Sequence, residues 1–258
     1  MVLSVRGITK RFGGLTAVDH VTFDVEPNQV FSVVGPNGSG KTTLFNLISG
    51  LLTADEGTVH LGEHCLTGKS PHEIARLGVG RTFQNVYVFK RLTALENVLI
   101  ARHCRISASF LNAFYRPRWV LDEERENQER CMELLEMVNL SHKYDVEARH
   151  LAYGEQKRLE IARALAIDPH ILLLDEPAAG LNDREVGQLI ETIGKLAERK
   201  MTILLIEHKM DMVMNISDRM IVLNHGRKIA EGHPRDISHN RDVIEAYLGK
   251  AYQYSKSK

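Results

Sequence analysis

The segment VFSVVGPNGSGKTTLFNLISG, residues 30–50, decides the fold of this chain. It opens with a short apolar run, Val30 to Gly35, that is typical of a buried strand, and the run that begins at Lys41 predicts a helix ended by Gly50. Between them, GPNGSGKTT satisfies the pattern G-x-x-x-x-G-K-[ST]. In a strand–loop–helix unit of this kind, successive backbone N–H groups turn inward around phosphate oxygens. The segment therefore predicts a nucleotide site.

The polar residues of this loop have separate expected roles. Lys41 is expected to reach the β- and γ-phosphates, and the hydroxyl of Thr42 is expected to ligate Mg²⁺. The other residues expected to surround the nucleotide phosphates are Gly35, Pro36, Asn37, Gly38, Ser39, Gly40 and Thr43.

Two later apolar runs end in side chains that suit phosphate chemistry. ILLLDEP ends in Asp175, which suits a water-mediated Mg²⁺ contact, and Glu176, which is placed to polarise an attacking water. LLIEH ends at His208, on a neighbouring strand from which the side chain could reach the γ-phosphate. Taken alone, each of these residues could also be a solvated side chain at a strand end. With the phosphate loop upstream, the catalytic interpretation is favoured for the two acids.

The order of the elements predicts an α/β fold. Apolar strands alternate with amphipathic helices, which indicates a mainly parallel sheet covered by helices, and the first thirty residues favour edge strands of an antiparallel layer. The run from about Asn85 to Ala164 is almost wholly helical, and residues 219–232 predict a hairpin that turns near Asn224. We expect a core made of residues 1–85 and 165–235, a helical subdomain of residues 86–164, and a C-terminal helix and tail of residues 236–258.

Length, charge and cysteine content limit the functional classes. The 258 residues lie near the upper limit for one hydrophobic core, and the apolar and charged fractions of 43% and 26% are ordinary for a globular protein. Lys plus Arg and Asp plus Glu are both 33, so net charge gives no argument for a nucleic-acid partner. The scattered residues Cys65, Cys104 and Cys131 favour a reduced cytosolic protein.

The sequence also contains no candidate for a membrane span. Its first residues carry charges where a signal peptide needs an apolar stretch, and no apolar run approaches the roughly 20 residues that cross a bilayer. If this chain serves transport, other subunits must therefore supply the pore.

Six motifs in order resemble the ATP-binding subunit of ABC transporters: the phosphate loop, Gln84, LAYGEQKR, LLLDEP, AAGLN and IEH. The resemblance implies a RecA-like P-loop ATPase core with an N-terminal antiparallel β layer and an inserted helical subdomain, and it implies ATP and Mg²⁺ as ligands. It implies further that Phe12 stacks on adenine with Val18 nearby. Gln84 would sense Mg²⁺ and the γ-phosphate at the hinge to the helical part, and His208 would be the switch histidine.

The segment LAYGE, residues 151–155, occupies the place of the family's signature loop, LSGGQ. In that family two subunits pack head to tail, so that the signature loop of one closes over ATP held by the other. Gly154 and the helix N-terminus that it opens keep backbone contacts to an anion, and Ala152 and Glu155 replace the serine and glutamine of the family pattern. The D-loop AAGLN likewise carries Ala179 for serine and Asn182 for aspartate.

Within the family, the sequence is similar to the ATPase of branched-chain amino-acid importers. The segments that show this similarity are FGGLTAVDHVTF, GVGRTFQNVYVFKRLTALENVLIARH and DVIEAYLG. That likeness implies a second ATPase subunit, two integral membrane permease subunits that dock around Asn85–Arg91, an indirect solute-binding protein, and a place at the cytoplasmic face of the membrane. Urea or amide importers and the ATPase of lipopolysaccharide export remain alternatives. A soluble ABC ATPase acting on ribosomes or DNA, and a nucleotide-binding protein without hydrolysis, are weaker ones.

An aromatic segment at residues 106–120 stands apart from these motifs. It interleaves aromatic rings with Arg116 and Arg118, the rings being those of Phe110, Phe114, Tyr115 and Trp119. The composition suits a platform that meets a membrane subunit or the bilayer surface. The favoured alternative is a surface helix pair that folds its rings onto the helical part.

Overall fold

Strands and helices alternate along the chain in a computed structural model that describes residues 1–102 and 118–248. The strands are β1 (Leu3–Phe12), β2 (Leu15–Val25), β3 (Val30–Val34), β4 (Glu56–Leu61), β5 (His64–Cys65), β6 (Val79–Arg81), β7 (Ile171–Asp175), β8 (Thr202–Ile206), β9 (Arg219–Asn224) and β10 (Arg227–Gly232). The helices are α1 (Lys41–Ile48), α2 (Pro71–Arg76), α3 (Ala94–Arg102), α4 (Arg118–Met137), α5 (Tyr153–Leu165), α6 (Asp183–Glu198), α7 (Met210–Ile216), α8 (Pro234–Ile237) and α9 (Arg241–Leu248). The predictions for the side chains of the aromatic segment and for the tail after residue 248 lie outside the described part.

The central sheet has the strand order β10-β9-β3-β8-β7-β6. All its pairs are parallel except β9 with β10, which form the hairpin that the sequence predicts. In a parallel sheet the carboxyl ends of the strands lie at one edge, where ligands bind. The phosphate loop follows β3, Gln84 follows β6, Glu176 follows β7 and His208 follows β8, so the topology brings these residues to the same edge.

A second, antiparallel sheet packs beside the first and has the order β2-β1-β4-β5. The sequence predicts its first two strands. It does not predict β4, which pairs with β1 so that Leu3 lies opposite Leu61 and Val5 opposite Val59. These apolar side chains are buried, so β4 completes the face that packs on the central sheet.

Side chains on the two faces of the central sheet enter different hydrophobic clusters. Ile171 and Leu173 of β7 pack with the antiparallel sheet and α1, whereas Leu172 and Leu174 pack with the helices. The latter cluster also contains Leu134 and other apolar residues of α3, α4 and α5. Because strands buried on both faces read as continuous apolar runs, this two-sided packing explains the sequence of β7. None of the helices in the described ranges has the length and apolar character needed to cross a bilayer.

Candidate active site

The loop between β3 and α1 depends on glycines at two close approaches. Gly40 has a φ of +101°, and a Cβ there would overlap the carbonyl oxygen of Ala17. A Cβ on Gly35 would overlap the carbonyl oxygen of Leu223 and lie 2.7 Å from the Ser39 hydroxyl. These two glycines are therefore needed where the loop packs against β2 and β9, in addition to any role in the approach of phosphate.

Lys41 is buried at the start of α1, and its ammonium is held by the loop itself. Nζ donates to the carbonyl oxygens of Gly35 at 2.8 Å and Pro36 at 3.0 Å. Burial lowers the pKa of Lys41, and the nearby carboxylates of Glu176 and Asp175 act in the opposite direction. The cation thus lies within electrostatic reach of Glu176, which the sequence assigns to catalysis, and of Asp175, which it assigns to Mg²⁺.

A cavity of about 420 Å³ opens beside this loop. The Phe12 side chain is 47% exposed and lines it, and Glu176 also contributes to its wall. The remaining lining residues are Leu15, Thr16, Ala17, Asn37, Gly38, Ser39, Gly40, Lys41, Thr42, Thr43, His225 and Gly226. An exposed ring, a glycine loop and a buried lysine around one cavity form a set of groups that fits a nucleotide.

Asp175 is held by a cation that the sequence does not reveal. Arg81 Nη2 lies 2.9 Å from Asp175 Oδ2 and 2.8 Å from Asn46 Oδ1. The same guanidinium donates to the Ser49 hydroxyl and stacks over the Phe83 ring at 5.0 Å. Burial raises the pKa of Asp175, and the charge of Arg81 opposes that shift. Arg81 therefore connects the predicted metal carboxylate to α1.

Glu176 and Gln84 come into direct contact although 92 positions separate them. The Gln84 amide Nε2 donates to Glu176 Oε2 at 3.0 Å. Glu176 has a φ of +46°, a conformation that non-glycine residues seldom adopt, and its N–H donates to the carbonyl oxygen of Ile206. The adjoining strand thus holds the backbone of this acid in a position from which its carboxylate meets Gln84.

His208 lies in an exposed position after β8, and the residue before it organises the local backbone. The carboxylate of the fully buried Glu207 accepts hydrogen bonds from the N–H groups of Ala178, His208 and Lys209. His208 Nδ1 lies 3.3 Å from the same carboxylate. Glu207 thereby joins the segment after Glu176 to the segment that carries the histidine.

The LAYGE segment leads into α5, which begins at Tyr153, and it does not line the cavity. Glu155 accepts a hydrogen bond from the Ala152 N–H at 3.0 Å and pairs with Lys143 Nζ at 2.6 Å. Gly154 is buried, and a Cβ there would lie 2.7 Å from Glu185 Oε1. A Cβ at this position would therefore require the Glu185 side chain to shift.

The structure gathers most of the predicted residues at one edge of the sheet but separates some from the cavity wall. Val18 is fully buried behind Gly40 rather than exposed to the cavity. Predicted residues that do not line the cavity are Gly35, Pro36, Gln84, Ala152, Gly154, Glu155, Asp175 and His208. Sequence reasoning missed His225 and Gly226, whose hairpin turn reaches the loop through a bond from the Gly226 N–H to the Ser39 carbonyl. The hairpin pattern marks the turn but carries no signal for that contact.

The donor set also fits a magnesium ion that arrives with a nucleotide. Thr42 is exposed to the cavity, and Asp175 lies near Lys41 and Glu176. Within residues 1–102 and 118–248 no group of three or more His, Cys, Asp or Glu side chains could hold a metal by itself. Protein sites that supply one or two ligands and leave the others to phosphate and water are the usual magnesium sites.

Comparison with known proteins agrees with this geometry. A sequence family described as ABC transporter matches residues 18–179, and one described as branched-chain amino acid ATP-binding cassette transporter matches residues 227–253. The high-affinity branched-chain amino acid transport ATP-binding protein BraF of Pseudomonas aeruginosa is 48% identical over 97% of this chain and 98% of its own length. LivG of Escherichia coli K12, which bears the same description, is 44% identical over the same shares.

Solved structures are similar over nearly the whole chain. The ADP conformation of MJ1267, an ATP-binding cassette of an ABC transporter, superposes with a TM-score of 0.83 at 38% identity, covering 96% of this chain and 99% of that one. The dimeric structure of MJ0796, a bacterial ABC transporter cassette, gives a TM-score of 0.75 at 27% identity, covering 90% and 99%.

Proposed function

This chain belongs to the ABC transporter family as an ATP-binding subunit, and from that premise we propose that it hydrolyses ATP to power the import of branched-chain amino acids. The observation that carries the catalytic part is the contact of Gln84 with Glu176 beside the buried Lys41. The names of the relatives, together with the C-terminal family match, support the substrate class.

Each residue at the edge of the sheet has a separate part in the proposed reaction. Lys41 and the N–H groups of the glycine loop bind the phosphates, while Phe12 offers its exposed face to adenine. Thr42, Asp175 and Gln84 would hold Mg²⁺, which when bound neutralises phosphate charge. Glu176 would accept the proton of the attacking water, and His208 would contact the γ-phosphate.

The first turn of α5 would complete the site of a second subunit. Ala152, Gly154 and Glu155 lie outside this chain's own nucleotide cavity, as expected if they face ATP bound to a partner. The N-terminus of a helix favours an anion, and a twofold arrangement would use both copies in the same way. The dimeric structure of the similar cassette MJ0796 supports this assembly. Either a second copy of this chain or a sister ATPase would serve as the partner subunit.

A second cavity, of about 280 Å³, supports docking of the membrane subunits. It is lined by apolar residues of several elements, among them Leu51, Ile74, Phe83 and Tyr87. Leu51, Phe83 and Tyr87 also expose part of their surface, and exposed apolar patches mark interaction sites. Because Phe83 and Tyr87 flank Gln84, a permease segment seated there would contact the part of the chain that touches Glu176. Such docking would place the subunit at the cytoplasmic face of the membrane.

The catalytic part is tested by Glu176→Gln. We expect this variant to bind Mg·ATP with unchanged affinity and to lose turnover by about a hundredfold or more, because an amide cannot accept the proton from water. Nucleotide binding and phosphate release are measured side by side. The control is Glu198→Gln, which makes the same substitution at an exposed position. Hydrolysis by Glu176→Gln at the wild-type rate would contradict the assignment of the base.

The transport part is tested by capture of the assembly. Tagged Glu176→Gln is held with Mg·ATP in membranes of the source cell, and the proteins that co-purify in detergent are identified by mass spectrometry. Two polytopic subunits with a sister ATPase and a solute-binding protein are expected. Recovery of lipopolysaccharide-export components, or of ribosomal proteins alone, would contradict import.

A further inference from the structure

One face of α5 contacts the segment that carries Gln84. Lys157, Glu160 and Arg163 follow at intervals of three residues, so they lie on the same side of the helix. We call them the charged face of α5. Arg163 donates to the carbonyl oxygen of Tyr87, and its guanidinium lies 5.0 Å from the centre of the Phe89 ring.

Two hydrogen bonds from this charged face hold the backbone on either side of Gln84. Lys157 Nζ donates to the carbonyl oxygen of Gln84 at 2.6 Å, and Glu160 Oε1 accepts a hydrogen bond from the Phe83 N–H at 3.1 Å. The peptide group before Phe83 and the peptide group after Gln84 are therefore both held by α5. Between them, the Gln84 side chain reaches Glu176 at 3.0 Å.

Lys157 is an unusual residue to find in such a position. Its exposure is only 3%, and burial lowers the pKa of its ammonium group. The carboxylates of Glu160, Asp175, Glu207 and Glu176 act in the opposite direction. Lysine is seldom fully buried unless its charge is paired, because loss of hydration is costly. Packing alone would be served by an apolar side chain, so the ammonium points to a requirement for the Gln84 contact.

We propose that Lys157 is a positioning residue that holds Gln84 against Glu176 and couples this contact to movement of α5. The proposal rests on the proposed function. Lys157 lies one helical turn after Tyr153, at the end of α5 that would meet the ATP of the partner subunit. A displacement of α5 when the dimer closes would therefore act directly on the backbone of Gln84. In this way the nucleotide bound by one subunit changes the Gln84–Glu176 contact in the other.

The test compares Lys157→Met, which removes the cation, with Lys157→Arg, which keeps it. Lys195→Met is the matched control, since its lysine is exposed on α6 and pairs only with the neighbouring Glu191 among the ion pairs of the described residues. In nucleotide-free protein, hydrogen exchange in residues 82–88 should become about tenfold faster in Lys157→Met, because a hydrogen bond to a charged donor is lost. Lys157→Arg and Lys195→Met should exchange as the wild type does.

Steady-state kinetics provide the second readout. In Lys157→Met, kcat should fall about tenfold while KM for Mg·ATP stays within about twofold, because the phosphate loop is untouched. Lys157→Arg should restore kcat. Should Lys157→Met fail to fold, Lys157→Gln serves instead, since its shorter neutral side chain also lacks the ammonium.

Three outcomes overturn the proposal. The first is unchanged exchange and unchanged kcat in Lys157→Met. The second is faster exchange along the whole of α5 with kcat and KM altered together, which would give Lys157 a merely structural role. The third is failure of Lys157→Arg to restore kcat. Absence of ATP turnover in the wild type would instead contradict the proposed function, while the exchange measurement would still decide whether Lys157 holds the Gln84 segment.

Discussion

Arg81 and Asp175 form an ion pair between neighbouring strands, with side chains only 8% and 4% exposed. Removing one partner of a buried pair destabilises a protein far more than removing one partner of an exposed pair. The remaining charge stays in a medium of low polarity without its counter-ion, which commonly costs about 3–5 kcal/mol. An exposed pair contributes little, because water solvates both groups and the long side chains lose freedom when they meet.

At this residue, we predict that Arg81→Met lowers the free energy of unfolding of the nucleotide-free protein by about 3–5 kcal/mol. Arg125→Met, which breaks a pair whose side chains are 81% and 63% exposed, should lower it by less than about 0.5 kcal/mol. Urea unfolding followed by circular dichroism gives both values. Equal losses in the two variants would show that Asp175 does not depend on Arg81.

At the scale of the element, the start of α6 shows why a departure from the family pattern can be harmless to the fold. Asn182 Oδ1 accepts a hydrogen bond from the Glu185 N–H, and the Glu185 carboxylate accepts one from the Asn182 N–H, both at 3.0 Å. This reciprocal cap satisfies two backbone donors that a helix N-terminus leaves free. Asparagine and aspartate serve equally well in that position.

We therefore predict that Asn182→Ala destabilises the protein by about 1 kcal/mol, whereas Asn182→Asp changes its stability by less than about 0.5 kcal/mol. Thermal and urea unfolding without nucleotide measure both. A loss in Asn182→Asp as large as that in Asn182→Ala would mean that the asparagine amide makes a contact beyond the cap.

At the scale of the whole molecule, the proposed association of two subunits would depend on the first turn of α5. Ala152 precedes this helix and offers no side-chain acceptor for its N–H groups. A serine would supply a cap to its own helix and a hydroxyl to the γ-phosphate of the partner's ATP. The two effects are separable, because the cap acts in the isolated subunit and the phosphate contact acts only in the closed dimer.

We predict that Ala152→Ser stabilises the nucleotide-free subunit by about 1 kcal/mol. In the Glu176→Gln background with Mg·ATP, it should also lower the dissociation constant of the dimer about a hundredfold, since a hydrogen bond to a charged oxygen is gained at each of the two ATP sites. Urea unfolding and sedimentation over a series of protein concentrations measure the two quantities. A stabilised subunit with an unchanged dissociation constant would place the serine outside the dimer interface.

Local patterns were sufficient for much of the fold. The sequence correctly predicts several elements: the strand, loop and helix around residues 35–43, the strands β3, β7 and β8, and the hairpin of β9 and β10. Each is specified by residues close together in the chain, through periodicity or turn chemistry. β4 was missed because its exposed start, Glu56–Thr58, leaves only a short alternation that becomes a strand by pairing with β1.

The amino-acid sequence by itself determined which residues are candidates for the chemistry: the loop with Lys41, the acids after β7, and the motifs that resemble an ABC cassette. The fold alone brought Arg81 to Asp175 and Lys157 to Gln84, across 94 and 73 positions of chain. No periodicity or local spacing specifies such contacts, because they arise only where separate elements meet in the packed molecule. Candidate catalytic groups can therefore be recognised along the chain, whereas the residues that hold them in place cannot.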